Sequence, residues 1–399
     1  MIFSFKPEKY RKDFPLLNQN LIYFDNACMS LKPQQVLDKM YEYYTRYTAC
    51  GGRSSHTLAK EVEAEVAKTR LTVKSFIHAK KEEECVFTRN TTEGINLVAN
   101  SFGLQKGDEV IISDKEHNSN LIPWLKMQKE KGIKLHITES NLDNTFSLEA
   151  FESTFTKNTK LVSVVHVSNM DGVANPIKEI AKITHEHNAA LLVDGAQSVP
   201  STEVNVQKLD VDFFSFSGHK MLGPTGTGVL YGKKERLEQL SQFIVGGETV
   251  LDATYDSYLP EKIPHRFEAG LQDYAGIIGL SEACKYLENV GMNNIEKHEI
   301  KLNKLVTERL AKHVKILGPQ NAEKRNSIFS FTVPGKDIHH ISGILNSSKN
   351  IMIRSGAHCV HSWFNKHNMK GSARASMYFY NTEEEANIFC DAVEKIVKI

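Results

Sequence analysis

Residues 191–200 read LLVDGAQSVP and residues 213–232 read FFSFSGHKMLGPTGTGVLYG. Each stretch opens on a short apolar run and breaks into charged, hydroxyl and glycine residues. ALLV (Ala190–Val193) and FFSF (Phe213–Phe216) carry apolar residues at successive positions, the mark of strands buried on both faces. Similar runs stand at Glu109–Ser113 (EVIIS), Leu161–Val167 (LVSVVHV) and Gly228–Tyr231 (GVLY). Helical patterns such as Pro176–His187 lie between several of them. Strands of this kind alternating with helices predict an α/β fold with a mostly parallel central sheet. Sites in such sheets form at the carboxyl ends of the strands. Two of those ends are chemically loaded: Asp194 after ALLV, and Ser217-Gly218-His219-Lys220 after FFSF.

The chain has 399 residues, room for two or three domains at about 150 residues each. From about Gly279 the pattern changes. A long helical stretch from Leu280 to about His313 leads to strands near Ser327–Val333 and Ile351–Arg354, and to a last helix at Glu383–Val397. A large domain is expected over residues 21–278, with a smaller α+β domain built from residues 279–399 and the N-terminal 1–20. Hydrophobic residues are 41% and charged residues 24%, which excludes a disordered, collagen-like or coiled-coil chain. Lys and Arg total 49 against 48 Asp and Glu, so no basic excess points to nucleic acid. No apolar run approaches the roughly 18 residues of a membrane helix. The start MIFSFKPEKYRKDF has charges where a signal peptide needs apolar residues, and a cytoplasmic protein is expected. The six cysteines (Cys28, Cys50, Cys85, Cys284, Cys359 and Cys390) are scattered without a C-x-x-C pair, which argues against a disulfide framework or a zinc module.

A lysine, an aspartate and a Ser/His pair at neighbouring strand ends suit a cofactor with an aldehyde, a basic ring nitrogen and a phosphate. Lys220 would form the Schiff base, Asp194 would pair the ring nitrogen, and Ser217 and His219 would hold the phosphate. That cofactor is pyridoxal 5′-phosphate (PLP). The glycine-rich run Gly223–Gly228 allows close backbone approach. Thr91-Thr92-Glu93-Gly94, ahead of the amphipathic INLVANSF, offers hydroxyls and N–H groups at a helix start, a second anion site. His361 and His367 lack a further ligand at recognisable spacing, so no metal is expected. The runs Glu82–Glu84 and Glu383–Glu385 read as solvated helix starts.

Further motifs run nearly end to end: YFDNACMSLKP (Tyr23–Pro33), HTLA (His56–Ala59), TRNTTEGINLVANSFG (Thr88–Gly103) and KEHNSNLIPW (Lys115–Trp124). They continue with HVSNMDGVANP (His166–Pro176), RFEAG (Arg266–Gly270), IRSGAHC (Ile353–Cys359) and RASMYFYNT (Arg374–Thr382). With these the chain resembles the fold-type I PLP enzymes of the class V aminotransferase family, and within them the group II cysteine desulfurases. The resemblance implies that Lys220 also moves the substrate α-proton. It implies that His117 stacks on the cofactor ring, that Gln197 bonds its phenolic oxygen, and that Asn169 lies near that oxygen and the substrate. Thr92, with Thr91, would join Ser217 and His219 at the phosphate. Arg374 would grip the substrate carboxylate, with Arg354 and Arg53 as further active-site arginines. Cys359 would be the nucleophile that takes sulfur from L-cysteine as a persulfide and leaves L-alanine. Such a thiolate should stand near positive charge, and Arg354 and His358 are close in sequence. The other five cysteines match no nucleophile position and read as structural.

The resemblance further implies a homodimer with the site at its interface, and a sulfur-acceptor protein in iron–sulfur cluster assembly or related transfer. The alternative is a selenocysteine lyase acting on L-selenocysteine, or another C–S lyase or aminotransferase. The sequence departs from the family pattern at four places. Gly51-Gly52 precede Arg53 in place of a histidine, Ala357 replaces a histidine, Leu271 replaces a threonine, and Val360-His361-Ser362 follow Cys359.

Overall fold

The computed structural model describes residues 5–398, so residues 1–4 and 399 of the expected small domain lie outside the described residues. The central sheet has seven strands: β1 (Cys85–Thr88), β2 (Glu109–Ser113), β3 (Lys134–Thr138), β4 (Thr159–Val165), β5 (Ala190–Asp194), β6 (Phe213–Ser217) and β7 (Gly228–Gly232). Their spatial order is β1-β7-β6-β5-β4-β2-β3. β2 to β6 run parallel to their neighbours, whereas β7 is antiparallel to both β6 and β1. Only residues 218–227 separate β6 from β7. That is too short for a parallel crossover with its helix, so the chain returns antiparallel. β1 therefore runs with β6, and the carboxyl ends of six strands reach one edge of the sheet.

Alternation along each strand sends its apolar residues to opposite faces. Ile111, Val162, Leu191, Val193 and Phe214 join one buried cluster, while Val110, Ile112, Leu161, Leu192 and Phe213 join another. Gly94 lets the helix Thr91–Ser101 lie directly on β6: a Cβ there would stand 2.2 Å from Ser215 Oγ. β3 escapes the two-sided reading because KLHIT is a half-exposed edge strand.

A second sheet is antiparallel, with β8 (Lys315–Ile316), β9 (Ile328–Thr332), β10 (Arg354–Gly356) and β11 (Ser372–Ser376) in the order β8-β9-β11-β10. It has its own core, with Leu302, Val306, Phe329, Leu345 and Phe389. The helix expected from Leu280 to His313 is two helices, Tyr274–Val290 and Met292–Leu310, broken at Gly291 with φ +88°. Ile277, Leu280 and Leu287 of the first pack in the core of the large sheet, and Leu302 and Val306 of the second pack in the small one. Ile295 of the second helix still packs in the large core, so the change of core falls inside that helix, between Ile295 and Leu302. The N-terminal segment is also shared. Phe14 and Leu17 pack with the large-sheet core, through aromatic contacts of Phe14 with Tyr286 and Tyr380, while Ile22 and Phe24 pack with the small one. Among the described residues no helix is long and apolar enough to cross a membrane.

The two acidic runs are not simply solvated. Glu84 is buried and accepts the Lys80 and Lys81 N–H groups, both at 2.9 Å. Glu385 is buried and pairs with Arg11 at 2.9 Å. Glu84 folds back onto local donors and Glu385 reaches Arg11 of the N-terminal segment, so neither carboxylate faces water.

A buried bidentate pair ties β1 to the RFEAG segment. Arg70 Nη1 and Nη2 donate to Glu268 Oε1 and Oε2 at 2.7 and 2.9 Å, and the Phe87 N–H donates to Oε1 at 2.7 Å. Burial alone would push the Glu268 carboxyl up. The Arg70 guanidinium, aided by bonds from His265 and Arg70, reverses this and holds it at about 2. Glu268→Gln strands a buried guanidinium and is expected to cost about 3–5 kcal/mol in urea unfolding at neutral pH. With a folded value of about 2 against an ordinary 4.5, the carboxylate's contribution is full above pH 4.5 and fades as pH falls toward 2. The gap between wild type and variant should therefore narrow over that window. A constant gap would contradict the ionic account.

Candidate active site

A cavity of about 270 Å³ opens where β1, β2, β4, β5 and β6 end and the small sheet faces them. Lys220 sits in the short turn Gly218–Lys220 directly after β6, and Asp194 closes β5. Burial pushes the Lys220 ammonium down against the pull of Asp194, and the Arg374 charge adds to the lowering. Burial pushes the Asp194 carboxyl up, while Lys220 and the Ala196 N–H, which donates to Oδ1 at 2.9 Å, pull it down. A lysine held toward its free amine is the nucleophilic form that Schiff-base chemistry needs.

The helix Thr91–Ser101 begins at the end of β1, capped by Asn90 Oδ1, which accepts the Glu93 N–H at 3.0 Å. The Thr91 N–H donates to Ser217 Oγ at 2.9 Å, and the two hydroxyls lie 2.7 Å apart. The Thr92 and Ser119 hydroxyls are also 2.7 Å apart. These hydroxyls, with His219, gather at the positive end of a helix dipole, a setting for a phosphate.

His117 caps the helix Asn118–Lys131, and its Nδ1 accepts the Ser119 N–H at 3.1 Å, so the other nitrogen carries the proton. Burial, with the charges of Lys220, Arg374 and Arg354, pushes it down to about 3 and keeps the ring neutral. Below it, buried Glu116 accepts from Ser113 Oγ at 2.5 Å, Asn120 Nδ2 at 2.7 Å and the Val165 N–H at 3.0 Å. Sequence reasoning missed this support, because a carboxylate beside a histidine reads as surface. Its place just after the β2 run was the available clue.

Gln197 Nε2 donates to Ala27 O at 2.6 Å. Asn169, beyond β4, donates from Nδ2 to His358 O at 2.7 Å. Arg374 Nη1 donates to Asn169 O at 2.8 Å, and Nη2 pairs with Asp25 at 3.2 Å. Asn169 Oδ1 and Arg374 Nε are buried without a hydrogen-bond partner among the described residues. Buried polar atoms on a cavity wall call for a polar ligand.

Cys359 stands in the turn between β10 and the helix His361–Lys366. His358 and Cys359 have φ of +51° and +61°, a backbone that costs a non-glycine residue about 1–3 kcal/mol. Three bonds hold it: Asn169 to His358 O, Asn118 N–H to Cys359 O at 2.7 Å, and Val360 N–H to Ala357 O at 2.8 Å.

The cavity lining takes in all the candidate residues except Arg53. Arg53 is exposed, and its Nε pairs with Glu248 at 2.5 Å outside the cavity lining. The positive surroundings expected for Cys359 also differ. His358 turns inward to Ser372 Oγ at 2.9 Å, and burial, with the Arg374 and Arg354 charges, pushes it down to about 2, so it is neutral. Arg354 Nη1 donates not to Cys359 but to Cys28 Sγ, at 2.7 Å. Cys28, read as structural, is therefore a wall of the cavity. After Asp25 the chain turns, with Cys28 N–H bonded to Asp25 O at 3.1 Å, and lays this side chain against β10. Cys85, Cys284 and Cys390 are buried. His361 lies 3.0 Å from Asn118 and His367 stacks on Trp363; among the described residues no three His, Cys, Asp or Glu side chains gather as for a metal.

The model of the class-V aminotransferases matches residues 22–389. A probable cysteine desulfurase of Halalkalibacterium halodurans is 41% identical over 396 residues, 96% of each chain. The chain belongs to the class-V aminotransferase family, among its cysteine desulfurases. The solved apo cysteine desulfurase from Thermococcus onnurineus NA1 is 40% identical and superposes with a TM-score of 0.95 over 100% of both chains. The cysteine desulfurase CsdA from Escherichia coli is 31% identical, with a TM-score of 0.92 over 99% of both. The residues of this desulfurase fit PLP: a buried amine, a buried carboxylate opposite it, a neutral imidazole on the wall and a hydroxyl cup at a helix start.

Proposed function

We propose that this desulfurase uses PLP to take sulfur from L-cysteine, leaving L-alanine and a persulfide on Cys359, and hands the sulfur to an acceptor protein for iron–sulfur cluster assembly or a related transfer. The observation that carries this reading is one cavity lined by Lys220, Asp194, Arg374 and Cys359. When bound, PLP supplies an electron sink for the pair left by the departing α-proton. Lys220 Nζ takes that proton, being held by its burial toward the free amine that can accept one. Arg374 presents its guanidinium to the substrate carboxylate, where two donors match two oxygens. Cys359 Sγ forms the new S–S bond as the substrate Cβ–S bond breaks, and the carbon takes up a proton to become the methyl group of alanine. The strained turn fixes Cys359 for that attack. Alanine released from L-cysteine by the PLP-loaded enzyme with a thiol reductant is the test. No alanine under these conditions overturns the substrate assignment.

The site also belongs, in this reading, to a homodimer. The antiparallel pair Val250–Ala253 and Tyr258–Pro260 is exposed, with Leu251, Tyr258 and Leu259 more than half accessible and Leu271 at 70%. Such an apolar cluster favours a covering partner. Arg53 flanks the same face through Glu248 and would serve the second subunit's cavity rather than its own. The wild type is expected to sediment as a dimer and Leu259→Asp to shift it toward monomer. A monomeric wild type would remove this part of the reading.

A further inference from the structure

The active-site cavity holds a second thiol. Cys28 and Cys359 both line it, both residues are partly exposed, and both act electrostatically on the Lys220 amine. The segment that carries Cys28 is fixed. The Ala27 N–H donates to Ser376 Oγ at 2.9 Å, Ala27 O accepts from Gln197 at 2.6 Å, and Tyr23 OH bonds Met29 O at 2.9 Å. Arg354 Nη1 donates to Cys28 Sγ at 2.7 Å, so a guanidinium stands ready to hold negative charge on that sulfur. Arg354 opens β10, which runs straight into the turn bearing Cys359. The unpartnered Asn169 Oδ1 and Arg374 Nε mark the same cavity as a place for polar guests.

We infer that Cys28 is a second sulfur-carrying residue, which takes the sulfane sulfur from Cys359 and holds it beside Arg354. The inference rests on the Cys359 persulfide proposed above. The Cys28 thiolate attacks the outer sulfur of the Cys359 persulfide. A new S–S bond forms to Cys28 while the bond to Cys359 Sγ breaks. The bonding pair leaves on Cys359 as a thiolate, and the proton stays on the transferred sulfur. One persulfide and one thiolate stand on each side of the step, so no oxidant or reductant is needed. Cys359 is then free for a second turnover before any acceptor arrives.

The test treats the PLP-loaded enzyme with excess L-cysteine and no acceptor, traps persulfides with an iodoacetamide reagent that preserves the S–S bond, and maps them on the separate tryptic peptides of Cys28 and Cys359. Sulfane sulfur is expected on both peptides in the wild type and on neither in Cys359→Ser. The initial burst of alanine should be about two equivalents per subunit in the wild type and about one in Cys28→Ala. Sulfane sulfur on Cys359 alone, with a one-equivalent burst, overturns the inference and leaves the desulfurase reading intact. Sulfane sulfur on Cys28 in Cys359→Ser also overturns it, because Cys28 would then draw on the substrate directly. No alanine and no sulfane sulfur in the wild type removes the proposed function itself, and this inference with it.

Discussion

Cys359→Ser is expected to lower alanine formation from L-cysteine by about 10³-fold or more while the bound cofactor keeps its visible absorbance. A loss of that size corresponds to about 4 kcal/mol of barrier. The hydroxyl of serine fits the same turn, and the three bonds that hold the turn all involve backbone atoms of residues 357–360, so the substitution leaves them in place. What it removes is a sulfur able to form an S–S bond with the departing sulfur of the substrate. The control is L-selenocysteine. Selenium leaves carbon more readily, so a selenocysteine lyase would keep its activity without the thiol. Equal alanine from wild type and variant with L-cysteine would show a route that needs no enzyme thiol, and the persulfide assignment would fall.

Much of the site was legible because its residues lie just beyond strands that announce themselves. β5 and β6 are apolar on both faces, and the first polar residues after them, Asp194 and Ser217 to Lys220, have to emerge at the sheet's edge. Long-range placement was not legible. Nothing in YFDNACMSLKP shows that Cys28 will meet Arg354, since residues 326 positions apart come together only when Ile22 and Tyr23 pair with Ile351 and Met352. His358 looked like a neighbouring charge because sequence shows proximity but not direction. In the fold its ring points to Ser372, away from solvent, and loses its proton. Arg53 follows a motif but lies exposed beside Glu248, because sequence order does not say which way a loop side chain turns. The helix break at Gly291 was hidden in another way: apolar spacing continues across it, and only the positive φ of the glycine marks the break.

Lys220→Ala is expected to abolish the visible absorbance that PLP gives when linked to a lysine, and to reduce alanine formation by about 10³-fold or more. The fold should survive. Lys220 is buried with its ammonium disfavoured, so its removal takes away an unfavourable group rather than a packing anchor. This yields a second readout on the apoprotein. The folded amine has a pKa below its ordinary 10.5, so unfolding takes up a proton in the window beneath 10.5. The unfolded state then binds more protons than the folded one, and wild-type stability rises with pH through that window. Lys220→Ala removes this slope, so the variant should gain most over wild type at the acidic side of the window and lose that advantage as pH approaches 10.5. The two readouts separate two failures. A retained absorbance band would mean that another amine holds the cofactor. A lost band with an unchanged pH slope would mean that Lys220 binds the cofactor but is not held as a free amine by its burial, and its role as the base would need a different source.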